Sequence, residues 1–272
     1  MRHRPSAPDN GQSPAPRQQP PTARRVAVPM PISEPRLTYL LLAINVAIFM
    51  YYFPMPANQQ YRFLLDWGKV NEAIRAGEYY RLLTAMFLHL DLTHILFNGL
   101  ALYLYGRNVE ALFGHLRFAM IYFLGGLSGS LASFVFTDAL SVGASGALFA
   151  VFGAELVYFY AHRDLYGVVG RQYLSRLVFF MVIALGLGFV ARTTATPTGL
   201  QSFNIDNAGH VGGLVGGVVL AWFIGPAHTV KPDPAAEGGL KVVDENPIER
   251  WALPSLLYAV GLVAVIAYAV SA

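Results

Sequence analysis

Seven apolar stretches, Leu37–Phe53 and residues 92–111, 116–136, 145–161, 173–192, 207–224 and 252–270, dominate the chain. Each is about the length a helix needs to cross the hydrocarbon core of a bilayer. Helix breakers and loop residues mark several of their ends: Pro54, Gly114, Gly143, Gly225 and Pro226. The expected fold is all-α: a polytopic membrane helical bundle of six spans, followed by a polar segment and one C-terminal transmembrane helix.

Composition agrees. Only 13% of residues are charged and 55% are hydrophobic, whereas a soluble domain carries about 25% charged residues. The basic pI of about 9.1 does not imply nucleic acid, because the basic residues lie between the apolar runs, as membrane topology requires. With no cysteine, the chain has neither disulfides nor thiolate chemistry. Residues 1–36 hold nine of the seventeen prolines and six arginines. They read as a disordered, basic, proline-rich cytoplasmic tail, and not as a signal peptide, since the apolar region starts too late. Placing the N-terminus inside puts fourteen Lys and Arg on inner segments and five on outer ones. The positive-inside rule therefore sets the N-terminus in the cytoplasm and the C-terminus outside, in a bacterial plasma membrane. Residues 54–91 are too long for a simple loop and are expected to hold short interfacial helices. Residues 225–251 read as a cytoplasmic linker to the seventh helix, 252–272.

In this topology the second, fourth and sixth spans all begin on the outer side. Their first turns carry His94 and Asn98, then Ser145, then His210. Polar groups at membrane depth are costly and mark candidate sites. His94 and Asn98 are four apart and share one helical face. Gly143-Ala144-Ser145-Gly146 by itself fits close helix packing better than an exposed nucleophile; the three companions at the same depth change that balance. A serine beside an imidazole base suits acyl transfer, with Ser145 as nucleophile and His210 as base. Amide and imidazole N–H donors suit an oxyanion, a role open to His94 and Asn98. Asp206, four residues before His210, reads as a helix cap, and Glu155 as a packed or snorkelling group, so a Ser–His dyad is the simpler arrangement. His89, His115 and His162 fall near membrane boundaries, and His228 has no companion in its polar segment. Metal binding is not indicated, because catalytic zinc usually takes three protein ligands, and nothing suggests a cofactor. Gly209, Gly213 and Gly217 repeat every four residues on the sixth span and would let it approach the fourth.

His94-x-x-x-Asn98, Gly143-Ala144-Ser145-Gly146 and Gly209-His210-x-x-Gly213-x-x-x-Gly217 together resemble the rhomboid family of intramembrane serine proteases. They occur in that family's order, each on the matching span. Glu78-Tyr79-Tyr80-Arg81, Gly106-x-x-x-Glu110 and His89 are similar to further family elements. Gly209, where the family often has alanine, is a mild departure. The resemblance covers about 37–224 and implies a six-span catalytic core, with the seventh span giving a six-plus-one arrangement. It implies Ser145 and His210 as the catalytic dyad, His94 and Asn98 as oxyanion donors, and Phe149 packed against His210. It also implies membrane-protein substrates cut near the outer face, with the fifth span and residues 193–206 as a mobile side and lid. A water-filled cavity lined by His94, Asn98 and His210 would serve hydrolysis. Other functional classes open to such a chain are a non-catalytic rhomboid-like client-binding protein and a transporter using the histidines as a proton relay. Oligomeric state is not legible.

Overall fold

The computed structural model describes residues 28–193 and 205–271. The first 27 residues of the expected tail and residues 194–204 of the expected lid lie outside that description. Among the described residues, seven long helices stand where the apolar runs place them: α1 (Arg36–Tyr52), α5 (Leu92–Phe113), α6 (His115–Phe136), α7 (Ser145–Ala161), α8 (Arg163–Thr193), α9 (Asn207–Ile224) and α10 (Ala252–Ser271). Between α1 and α5 lie the short α2 (Ala57–Trp67), α3 (Asn71–Arg75) and α4 (Arg81–Thr84), as the amphipathic character of 54–91 suggests. By length and apolarity, α6, α8, α9 and the helical segment Ile248–Ser271 can cross a bilayer alone, and α5 passes the same test jointly with Arg81–Phe87, bent 92° from it. The apolar helices α1 and α7 are shorter, at 17 residues each.

The central helix is α7. Every residue from Ala147 to Glu155 is buried, and a helix that is apolar all round belongs inside a bundle. Against it lies α9, whose glycines allow contact that no side chain would permit. A Cβ on Gly213 would stand 2.0 Å from the Gly146 carbonyl oxygen, and one on Gly217 2.0 Å from that of Ala150. Glu155, fully buried, accepts a 2.5 Å hydrogen bond from the Tyr173 hydroxyl on α8, so it packs and does not snorkel. α8 begins ten residues earlier than its apolar run, because a break at Gly167 (φ 56°) joins a short interfacial turn to the span.

The bundle is pinned where α1 meets the turn between α5 and α6. Pro35 cannot cap α1 with a side chain. Instead the buried Glu110 of α5 accepts from the Leu37 N–H (2.8 Å), the Thr38 N–H (2.6 Å), the Thr38 hydroxyl (2.6 Å) and His115 Nδ1 (2.6 Å). Carboxylate at a helix N-terminus satisfies orphan donors and complements the helix dipole. Removing it leaves several buried donors unpaired. Glu110→Ala is therefore expected to cost on the order of 3 kcal/mol in stability, read by thermal or denaturant unfolding in detergent; a loss below about 1 kcal/mol would contradict this role.

The polar segment 225–251 is more than a linker. It folds into an antiparallel hairpin of β1 (His228–Pro232) and β2 (Leu240–Asp244), with His228 opposite Asp244. Two five-residue strands are marginal alone, and docking supplies the rest. Arg117 on α6 binds Asp244 at 2.7 Å and also the Asn246 carbonyl. His228, far from companionless, meets the Tyr158 hydroxyl through Nδ1 (2.8 Å), and its N–H donates to His162 Nε2 (2.9 Å). Asn246 then closes the end of α9 by donating to the Phe223 and Gly225 carbonyls, both at 2.8 Å. α10 leaves much of its surface, including Leu253, Leu256 and Leu257, open to lipid. It touches the bundle through Tyr258, hydrogen-bonded to Ser128 Oγ (2.7 Å), and through Ile266, packed among Ile74, Leu82, Leu131 and Phe134.

Candidate active site

The first turns of α5, α7 and α9 meet. Asp91 caps α5, accepting from the His94 N–H at 2.9 Å, and Asp206 caps α9, accepting from the Gly209 N–H at 2.9 Å. These caps start the two helices at fixed residues and so set where His94 and His210 project. α7 starts directly at Ser145, after Gly143 at φ 132°. That conformation strains any L side chain. A Cβ on Gly143 would also stand 2.7 Å from His94 Nε2, while Ser145 Oγ lies 3.5 Å from the same point. So Gly143 is the spacer that lets the His94 ring lie close to the serine.

His210 Nε2 and Ser145 Oγ are 2.8 Å apart. The His210 ring is buried and stacked on Phe149, with centroids 4.4 Å apart and planes 12° apart. Stacking fixes the ring plane, and the serine bond fixes its edge. With Nε2 accepting from the hydroxyl, Nδ1 carries the ring proton, and Nδ1 has no partner among the described residues. Asp206 is engaged elsewhere: it caps Gly209 and accepts from the Ser141 hydroxyl at 2.6 Å. The pair is a dyad.

His94 Nδ1 accepts from the Leu90 N–H at 3.3 Å. That choice of tautomer leaves Nε2 as the donor, on the side facing Gly143 and Ser145. Asn98, one turn further along α5, is buried, and its amide nitrogen has no partner among the described residues. The N–H of Ser145 opens a helix and so has no intrahelical acceptor. His94 Nε2, the Asn98 amide and the Ser145 N–H are thus donors that the fold leaves unused, on the first turns of α5 and α7.

Several residues escape the sequence reading. His89 is buried, with its ring edge-on to His94 at 5.0 Å between centroids; its position five residues before His94 is the signal for that contact. His162 is also buried. Lys69 is enclosed, its ammonium donating to the Thr137 carbonyl (2.7 Å) and to Asn71 Oδ1 (3.0 Å). Burial lowers that ammonium to about 8, with Asp206 and Asp138 opposing the shift, so it stays protonated at neutral pH. Apart from its place in the amphipathic stretch, nothing in the sequence marks it. A small, partly open pocket lies beside Ser145 and His210, walled by Lys69, Ser141, Gly143 and Asp206 among others. His94 and Asn98 are not among its lining residues.

A family model for the rhomboid domain matches residues 76–227, over half of the chain. The chain is 37% identical to "Rhomboid protease GluP" of Bacillus subtilis over 71% of its own length and 35% of that protein's. It is 32% identical to "RHOMBOID-like protein 9, chloroplastic" of Arabidopsis thaliana, over 69% of this chain and 42% of the relative. The "Putative rhomboid protease YdcA" of B. subtilis is 27% identical over 69% of this chain and 87% of its own. The chain therefore spans well under half the length of the first two relatives.

Proposed function

Since the chain belongs to the rhomboid family, we propose that it is an intramembrane serine endopeptidase whose catalytic core is residues 37–224. The observation that carries this reading is the 2.8 Å contact between Ser145 Oγ and His210 Nε2. His210 takes the hydroxyl proton as Ser145 attacks the scissile carbonyl. The oxyanion that forms is met by the Ser145 N–H, His94 Nε2–H and the Asn98 amide, at the positive end of α7. His210 then passes the proton to the leaving amine, and water hydrolyses the acyl-enzyme with His210 again as base.

Depth supports a substrate within the bilayer. A helix of 17 residues is about 26 Å long, against a hydrocarbon core of about 30 Å. If the inner end of α7 sits at the interface, Ser145 lies a few ångströms below the outer one. The substrates would be transmembrane segments cut near the outer face. The positive-inside balance supports an N-terminus in the cytoplasm and a C-terminus outside; the membrane proposed is a bacterial plasma membrane.

Incubating the purified chain in proteoliposomes with a transmembrane substrate, and following both cleavage and solute flux, tests the proposal. Cleavage without flux is expected; flux without cleavage would favour a transporter. Asn98→Ala is expected to lower kcat about 100-fold with KM nearly unchanged, because its amide is unpaired until the oxyanion forms. An unchanged kcat would remove Asn98 from the site.

A further inference from the structure

Four residues before Ser145 and four before His210, a second bond joins the same two segments. The Ser141 hydroxyl donates to Asp206 Oδ2 at 2.6 Å, within the short range of bonds to ionised carboxylates. Ser141–Asp206 and Ser145–His210 both span 65 residues, so the two bonds are in register along the mouths of α7 and α9. Each end of the outer bond is anchored. Ser141 pairs with Lys69 through two backbone bonds of 3.0 and 3.2 Å, and Gly143 is held to the Ala85 carbonyl at 2.9 Å. Asp206 uses its other oxygen on the Gly209 N–H, and its carbonyl accepts from the His210 N–H at 3.0 Å. Below this level the helices touch through glycines, which set how closely they approach but not how they slide or splay at the mouth.

We propose that Ser141 and Asp206 are positioning residues: their bond ties the entry to α7 to the cap of α9 and holds Ser145 and His210 at reacting distance. This rests on Ser145 being the nucleophile. It gives Asp206 a part in the site without a hydrogen bond to the His210 imidazole. Removing the bond frees the 137–144 connection to shift relative to α9. Loss of sub-ångström alignment costs rate while leaving substrate binding intact.

The test uses the full chain in detergent. Ser141→Ala keeps the α9 cap, since the Gly209 bond does not involve it, and Ser141→Thr restores a hydroxyl. Four quantities are read: kcat and KM on a transmembrane substrate, the rate of phosphonylation by a fluorophosphonate probe, the ¹⁵N resonance of His210 Nε2, and the melting temperature. Ser141→Ala is expected to lower kcat and phosphonylation about tenfold, leave KM within about twofold, shift the His210 resonance, and change melting by no more than about 2 °C. Ser141→Thr should recover most of the rate. Unchanged phosphonylation and an unchanged resonance in Ser141→Ala would overturn the proposal. So would a rate loss that tracks a large fall in melting temperature and is not rescued by threonine. If the parent chain neither cleaves nor reacts with the probe, yet its His210 resonance moves in Ser141→Ala, the protease reading fails while the tether stands.

Discussion

Ser145→Ala is expected to lower cleavage of a transmembrane substrate by about 10⁴-fold or more, and His210→Ala by a similar factor. The two losses should not add. In the 2.8 Å pair every proton the imidazole moves belongs to a reaction that passes through the serine oxygen, so once either member is gone the other has no task. The double variant is expected to match the single ones within about threefold. Stability is expected to behave differently. Ser145→Ala removes one hydroxyl and one hydrogen bond, worth about 1 kcal/mol. His210→Ala also empties the space beside Phe149 and is expected to cost more, in the range of about 2–4 kcal/mol seen for large-to-small changes in packed cores. Comparing kcat with unfolding midpoints separates chemistry from folding. A His210→Ala variant that retained near-parental cleavage while folded would exclude it as the base.

Gly213→Ala is the second large effect. Its new methyl would stand 2.0 Å from the Gly146 oxygen and 2.8 Å from the Gly146 carbonyl carbon. These are backbone atoms, so no rotamer change relieves the overlap, and α9 must move away from α7. Overpacking of this kind costs about 1–3 kcal/mol, occasionally more. The displacement falls beside both reacting groups, since Gly146 follows Ser145 and His210 lies one turn before Gly213. A shift near 1 Å there is expected to reduce cleavage about 100-fold. Gly146→Ala is the control. Its Cβ would meet nothing nearer than the Gly209 oxygen at 3.5 Å, an ordinary contact, and alanine is the better helix former. That variant is expected to fold at least as well as the parent. Equal behaviour of the two alanine variants, in melting and in rate, would show that the glycine contact does not set the geometry of the pair.

What could be read in advance follows from the range of the forces involved. Helix positions were legible because burial in lipid writes apolar runs into the sequence, and because Gly114 and Gly225 follow helix ends and Gly143 precedes a helix start. Ser145 and His210 could be paired because alternating topology puts the starts of α5, α7 and α9 on one side, which makes a single cluster geometrically possible. The glycine repeat of α9 announced close approach to a neighbour. By contrast, the burial of His89, His162 and Lys69 depends on which segments fold over them, and no local pattern records that. The hairpin at 228–244 is too short to show alternation and exists through Arg117, Tyr158 and His162, which are distant in the chain. Glu110 matched a motif, but its work in capping α1 became visible only through contacts 72 and 73 residues away. Ser141–Asp206 had no sequence signal beyond the shared offset from the dyad.

The most direct test of the central claim is to treat the folded, full-length chain with a fluorophosphonate probe and map the adduct by mass spectrometry. The account predicts a single phosphonyl group on Ser145, formed far more slowly in His210→Ala. No adduct, an adduct on another serine, or equal labelling of the His210→Ala variant would contradict it.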